Sequence, residues 1–278
     1  AGMHWVADGN AGGFLEFGKE CLERSVCDRV IADTNQELER QGALLEARRQ
    51  SGFVRQCHGD LHLRNIVLLD GRPTLFDGVE FNDDIACTDV FYDLAFLLMD
   101  LWRRQLPRHA NVVMNRYLAR TGDANGLSLL PLFLSCRASV RAKTSATAAR
   151  LQSDAKEREG LQSLARQYLA MAGDLVHPPR PSLIAIGGFS GSGKSTLALS
   201  LAPHVGAVPG AVVLRSDEIR KGLSGVSPLD HLDAGGYSPV VNERVYTRLA
   251  ETAALVVRSG HSAIVDAVLA RSADRQAI

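Results

Sequence analysis

One short stretch constrains this chain more than any other. Gly188-Phe189-Ser190-Gly191-Ser192-Gly193-Lys194-Ser195 fits the pattern G-x-x-x-x-G-K-[S/T] at every fixed position, with Thr196 following. Such a loop works only between a buried strand and the start of a helix, so it demands an α/β unit around it. Leu183–Ile186 reads as that strand and residues 194–203 as that helix. Gly188, Gly191 and Gly193 let the backbone curl, so that successive amides through Ser190, Ser192 and Thr196 point at phosphate oxygens. The helix start adds a positive dipole end. Lys194 is then expected to reach the β- and γ-phosphates of ATP, and the Ser195 hydroxyl to hold Mg²⁺.

The texture around this loop agrees. Ala211–Leu214 and Ala263–Val265 read as further strands and 239–259 as a helix, which predicts a parallel sheet with crossover helices. Asp266 stands at the end of the last strand, where a carboxylate can hold Mg²⁺ or its water; the alternative is an ordinary strand-end cap. Asp217 and Arg220 follow the strand before it. Open α/β sheets bind ligands at the carboxyl ends of their strands, so Asp217 is expected to accept a proton from an acceptor hydroxyl and Arg220 to face an anionic group. The alternative is a capped helix with solvated charges. This stretch, 183–278, resembles the small P-loop kinases that phosphorylate metabolites, including gluconate-kinase-like and zeta-toxin-like proteins; their lid arginines would lie beyond Ile278.

Before it lies His177-Pro178-Pro179-Arg180-Pro181-Ser182, whose prolines cannot continue a helix and favour an extended linker. The expected organisation is a first domain over 1–176, a linker over 177–182 and a P-loop domain over 183–278, making an α/β protein with a mostly helical first half. In that half, apolar residues at helical spacing predict two helices within 11–50, then a hairpin of Asn65–Leu69 and Thr74–Phe76 joined through Asp70-Gly71-Arg72-Pro73. Thr88 or Asp89 can cap a strongly apolar helix over roughly 89–105, and helices fit near 109–120, 128–150 and 155–173.

A second signature sits at His58-Gly59-Asp60-Leu61-His62-Leu63-Arg64-Asn65. Phosphoryl transfer needs a carboxylate to accept the acceptor's proton and, five residues on, an amide oxygen for the metal. Asp60 and Asn65 have that spacing, and Asp77 is placed as a second metal carboxylate after the hairpin. The motif resembles that of the aminoglycoside phosphotransferase family, which has a protein-kinase-like fold, over roughly 50–150; Tyr92-Asp93-Leu94-Ala95 matches a helix that follows in it. The resemblance makes Asp60 the catalytic base, Asn65 and Asp77 the magnesium ligands, and His58 a loop support; His62 is read as support rather than a ligand. The family's nucleotide-clamping lobe, with its strand lysine, has no counterpart among the 57 residues before His58, which read as helices. With an intact metal triad, and with the chain running from Ala1 to Ile278 just past a helix start, a fragment is expected; the alternative is a degenerate kinase half that keeps its catalytic loop without the nucleotide grip. The pairing resembles bacterial proteins that fuse a phosphotransferase-like half to a P-loop half.

Composition narrows the partners. Apolar residues at 46% and charged residues at 22% fit a globular chain, and 31 basic against 31 acidic residues leave no global field for nucleic acid or a membrane. No apolar run reaches the roughly 18 residues a bilayer span needs. The five widely spaced cysteines suggest reduced thiols and a cytoplasmic setting. The expected function is ATP-dependent transfer of a phosphoryl group to a small-molecule hydroxyl. A nucleotide-dependent regulatory ATPase is the alternative, and a toxin-like kinase acting on a sugar nucleotide a third; the acceptor and oligomeric state stay open.

Overall fold

The computed structural model describes residues 2–226 and 238–278. The chain divides into two compact units, the residues up to Gln105 together with Leu129–Pro178, and Leu106–Ser128 together with Pro179–Ile278.

In the first unit, helices α1 (Gly2–Phe17) and α2 (Arg24–Gln50) lead into strand β1 (Val54–Gln56). A two-residue Asp70-Gly71 turn then joins β2 (Ile66–Leu69) to β3 (Arg72–Leu75), with both turn residues at positive φ (51° and 73°). The hairpin is tighter than the sequence pattern suggests: Arg72 and Pro73 already pair with Leu69 and Leu68, because Asp-Gly alone supplies the left-handed backbone that such a turn requires. A one-turn helix α3 (Asp83–Ala86) and strand β4 (Cys87–Asp89), antiparallel to β1, precede α4 (Val90–Arg103). Asp89 caps α4 by accepting the Phe91 amide at 2.8 Å, as expected for one of the two candidate caps. Its carboxylate also holds Arg48 of α2 in a buried two-point contact at 2.7 and 2.9 Å. After α5 (Pro107–Thr121), which belongs to the second unit, α6 (Leu130–Leu151) and α7 (Ala155–Val176) close the first. Leu130, Leu132, Phe133 and Leu134 of α6 are fully buried, and its small residues Ala138, Ala142, Ala146 and Ala149 are equally enclosed. Small side chains along one helix let its neighbour approach closely, and α6 packs chiefly on α7, then on α4 and α1.

The second unit is built on three parallel strands, β5 (Leu183–Gly187), β6 (Val212–Arg215) and β7 (Ala263–Ala267), in the order β5–β7–β6. Every residue of β7 is buried, as a central parallel strand covered on both faces should be. Helices α8 (Lys194–Leu201), α9 (Ser216–Leu223) and α10 (Pro239–Arg258) connect the strands in sequence, and a short α11 (Ser272–Ala277) follows β7. Ala198 and Ala202 let α8 lie close on the sheet against Ala211 and Ile264.

Where the sequence pattern runs a first domain unbroken over 1–176, packing puts α5 with the P-loop sheet. The reason is hydrogen bonding at the open side of β6. Asn115 accepts the Val213 amide at 2.8 Å and donates to the Ala211 carbonyl at 3.2 Å. Asn111, one turn earlier, donates to Ala211 and Pro209 carbonyls at 3.0 and 3.2 Å. A side-chain amide has the donor and acceptor of a peptide group, so Asn115 serves as one residue of a neighbouring strand.

No helix among the described residues is long and apolar enough to cross a membrane. His261, at the entry to β7, is completely buried, and neither ring nitrogen has a hydrogen-bond partner among the described residues. Burial pushes its pKa down from 6.5 to about 4.

Two outcomes follow from this packing. Asn115→Ala strands the Val213 amide and should cost about 1–3 kcal/mol in urea unfolding, with faster hydrogen exchange in β6. Because folding depresses the His261 pKa, the unfolded chain takes up more protons between pH 6.5 and 4. Its contribution to stability is therefore complete above pH 6.5 and is lost as pH falls toward 4, by about 3 kcal/mol at roughly 1.4 kcal/mol per pH unit. Comparing wild type with His261→Leu by denaturant unfolding across that window should show the acid loss reduced in the variant.

Candidate functional site

Each unit carries one of the two sites. In the second unit, the chain turns off β5 at Gly188, whose added Cβ would meet Ser192 Oγ at 2.7 Å. Gly191 and Gly193 sit at φ of 80° and 83°, left-handed backbone that a side chain disfavours. Gly193 is also the N-cap of α8, so Lys194, Ser195 and Thr196 form its first turn. Ser190, Gly191, Lys194 and Ser195 line one wall of a cavity of about 700 Å³, while Asp217 and Arg220 of α9 and Asp266 of β7 also line it. Ser192 and Thr196 are not part of that wall. Lys194 Nζ donates to the loop's own Phe189 carbonyl at 3.1 Å.

The centre of this site is Asp266, 3% exposed, which pairs in register with Ile186 on one side and Arg215 on the other. Its Oδ2 accepts the Ser195 hydroxyl at 2.5 Å and Arg215 Nε at 3.3 Å. Its Oδ1 is buried and has no hydrogen-bond partner among the described residues. An orphaned buried carboxylate oxygen beside a hydroxyl is a donor set that fits a hard divalent cation such as Mg²⁺, with phosphate oxygens completing the shell. Among the described residues no three His, Cys, Asp or Glu side chains converge into a ready-made metal cage. Arg215 also binds Glu218 at 2.7 Å. Burial opposes its charge, but Glu218 and then Asp266 outweigh that and raise its pKa above the ordinary arginine value. Asp217 pairs with Lys221 at 3.2 Å, and Arg220 is buried.

Several wall residues escaped the sequence pattern. Arg215 stands directly before the Ser216-Asp217 pair, and Arg271 and Asp274 follow β7 as Asp217 and Arg220 follow β6. Applying the strand-end rule to β7 as well as β6 would have found that second pair. Asn242 and Tyr246, both on α10, carry no motif; only the crossover brings them to the cavity.

In the first unit the loop His58–Asn65 is held from three sides. The amides of His58 and Gly59 both donate to the Asp93 carboxylate of α4 at 3.0 Å, and the Leu63 amide donates to Asp100 at 3.1 Å. Arg137 of α6 meets Asp93 at 3.5 Å, donates to the Gly59 carbonyl at 3.3 Å, and lies 3.8 Å above the Tyr92 ring. His58 Nε2 donates to the Phe76 carbonyl at 2.9 Å, which ties the loop to the residue before Asp77. Asp60 and Asn65 are brought together: the Asn65 amide donates to Asp60 Oδ2 at 3.1 Å and to its carbonyl at 3.0 Å. That leaves the Asn65 carbonyl oxygen as the atom available for a cation. Asp77 is exposed, with a left-handed φ of 58° that is uncommon outside glycine. His62 contacts Asp60 Oδ2 at 3.3 Å and sets its ring edge-on against Phe96 at 5.3 Å, the geometry of a supporting side chain.

Two segments of the chain match known families. Residues 15–128 match the phosphotransferase enzyme family, and residues 183–278 match the AAA domain. The chain thus carries a phosphotransferase-family segment followed by a P-loop AAA-type segment, which supports a phosphotransferase or nucleotide-binding function. Uncharacterized proteins of Mycobacterium tuberculosis and Mycobacterium bovis are similar to it, each 32% identical over 227 residues, covering 80% of this chain and 44% of the relative. The match therefore spans less than half the length of these relatives. No solved structure matches it.

Asp93 is the clamp on which the first loop depends. Asp93→Ala leaves two loop amides unsatisfied and takes the carboxylate partner from the buried Arg137, and should cost about 3–5 kcal/mol by denaturant unfolding. Hydrogen exchange at His58 and Gly59 should accelerate with it.

Proposed function

We propose that this protein transfers the γ-phosphoryl group of ATP to a hydroxyl of a small molecule, with the P-loop unit as its principal nucleotide site. The observation that carries this reading is the Ser195–Asp266 pair: Asp266, whose Oδ1 is orphaned, lines the same cavity as the P-loop, Asp217 and Arg220.

The residues then have distinct tasks. The loop amides at Ser190, Gly191, Lys194 and Ser195 hold the phosphates, reinforced by the start of α8. Lys194 exchanges the Phe189 carbonyl for phosphate oxygens, a swap of one acceptor for a charged and stronger one. Ser195 and Asp266 would hold Mg²⁺, which supplies charge neutralisation along the phosphates. Asp217, at the mouth of α9, orients the acceptor hydroxyl and takes its proton, and Arg220 faces the transferring group or an anionic part of the acceptor. Catalysis of this kind is positioning and electrostatics, with no covalent intermediate required of the protein.

The phosphotransferase-family loop supports a second phosphoryl-transfer module, in which Asp60 orients a hydroxyl and Asn65 and Asp77 hold the metal. Free thiols at all five cysteines fit a reducing, cytoplasmic setting.

Titration of a fluorescent ATP analogue with Mg²⁺ tests the assignment. Lys194→Ala should weaken the P-loop's binding by at least about tenfold, and Asp217→Asn should leave binding intact while lowering acceptor-dependent ATP consumption by about 100-fold or more. Binding that is indifferent to Lys194→Ala would sink the P-loop reading. Slow ATP loss that no acceptor accelerates would identify a regulatory ATPase instead. Binding stoichiometry that halves on Asp77→Ala would show the first module to hold nucleotide in its own right.

A further inference from the structure

Arg215 is the cavity-wall residue whose contacts are hardest to explain as simple support. It stands at the last position of β6, in register with Asp266 on β7. Its Nε lies 3.3 Å from Asp266 Oδ2, the same oxygen that accepts the Ser195 hydroxyl at 2.5 Å. Its Nη1 lies 2.7 Å from Glu218, on the first turn of α9 next to Asp217. One guanidinium thus bridges the carboxylate proposed for the metal to the helix proposed for the acceptor. The Arg215 side chain is 30% exposed, so it can move, whereas that of Asp266 is 3% exposed and cannot.

We infer that Arg215 is a built-in counter-cation that makes the Ser195–Asp266 site reject a bare divalent ion and accept one only together with nucleotide phosphates. The inference rests on the reading of Ser195 and Asp266 as metal-holding residues. A buried carboxylate needs a positive partner, and Arg215 provides it when no metal is present. A divalent ion arriving alone would come within a few ångströms of that guanidinium, and like charges at such range repel strongly at protein dielectric. Metal that arrives with a triphosphate brings several negative charges, which give Arg215 a new partner as it leaves Asp266. The same movement loosens the bridge to Glu218 and frees the first turn of α9, where Asp217 sits. Nucleotide–metal loading and the acceptor site are coupled through this one side chain, and by linkage the coupling runs both ways. Arg215 is on this account a positioning residue.

Binding of Mn²⁺ alone, followed by the electron paramagnetic resonance of the free ion, reads this without any turnover. Arg215→Gln should tighten nucleotide-free Mn²⁺ binding by at least about tenfold over wild type, and should not tighten binding of the Mn²⁺–ATP complex. Arg215→Lys keeps the charge and should behave as wild type. Glu218→Gln concentrates Arg215 on Asp266 and should weaken bare Mn²⁺ binding further, so the opposite sign is available from a second position. Asp266→Asn should abolish the site in every background. If Asp266→Asn abolishes Mn²⁺ binding but Arg215→Gln leaves it unchanged or weaker, the counter-cation role is wrong while the metal assignment stands. If Asp266→Asn leaves the tightened Mn²⁺ binding of Arg215→Gln untouched, the metal assignment itself falls, and this inference with it.

Discussion

A carboxylate in an apolar interior must be surrounded by donors or cations, and both candidate sites are organised by that requirement. Asp266 lies in a strand with no exposed residue, between two other strands. There it draws a hydroxyl from the loop after β5 and a guanidinium from the end of β6. One side chain in the middle strand therefore fixes the relative position of the phosphate loop and the start of α9. Asp93 plays the corresponding part in the first unit, where its two oxygens collect the amides that open the His58–Asn65 loop.

The parts of these sites written in consecutive residues were readable in advance. The glycines of the P-loop and the Asp60–Asn65 spacing each express a local backbone or spacing demand, so each leaves a pattern in the chain. The supports do not. Arg137 reaches Asp93 across 44 positions, from a helix whose apolar pattern gives no hint that one arginine points inward. Arg215 was invisible for a related reason: the register of β6 against β7 gives it its role, and register is a property of two strands at once. His261 shows the limit from another direction, since nothing in its neighbours along the chain marks it as completely enclosed.

The sequence pattern placed the domain boundary at the prolines because composition changes most sharply there. Packing follows a different rule. Helix α5 has the periodicity of any surface helix, and only Asn111 and Asn115, spaced one turn apart, distinguish it. The residues that match the phosphotransferase enzyme family run to 128, so they include a helix that is spatially part of the P-loop unit. Similarity along the chain and compactness in space divide this protein at different places.

That mismatch has a practical side. A piece cut to the limits of the AAA-domain match would begin at Leu183 and leave Asn115 behind. The amide of Val213 and the carbonyl of Ala211 would then lie on a bare strand edge beside an apolar sheet, a template for a second strand from any chain that meets it. The asparagine pair thus acts as a stopper against edge-to-edge association, supplied from a stretch of sequence that a domain catalogue would assign elsewhere.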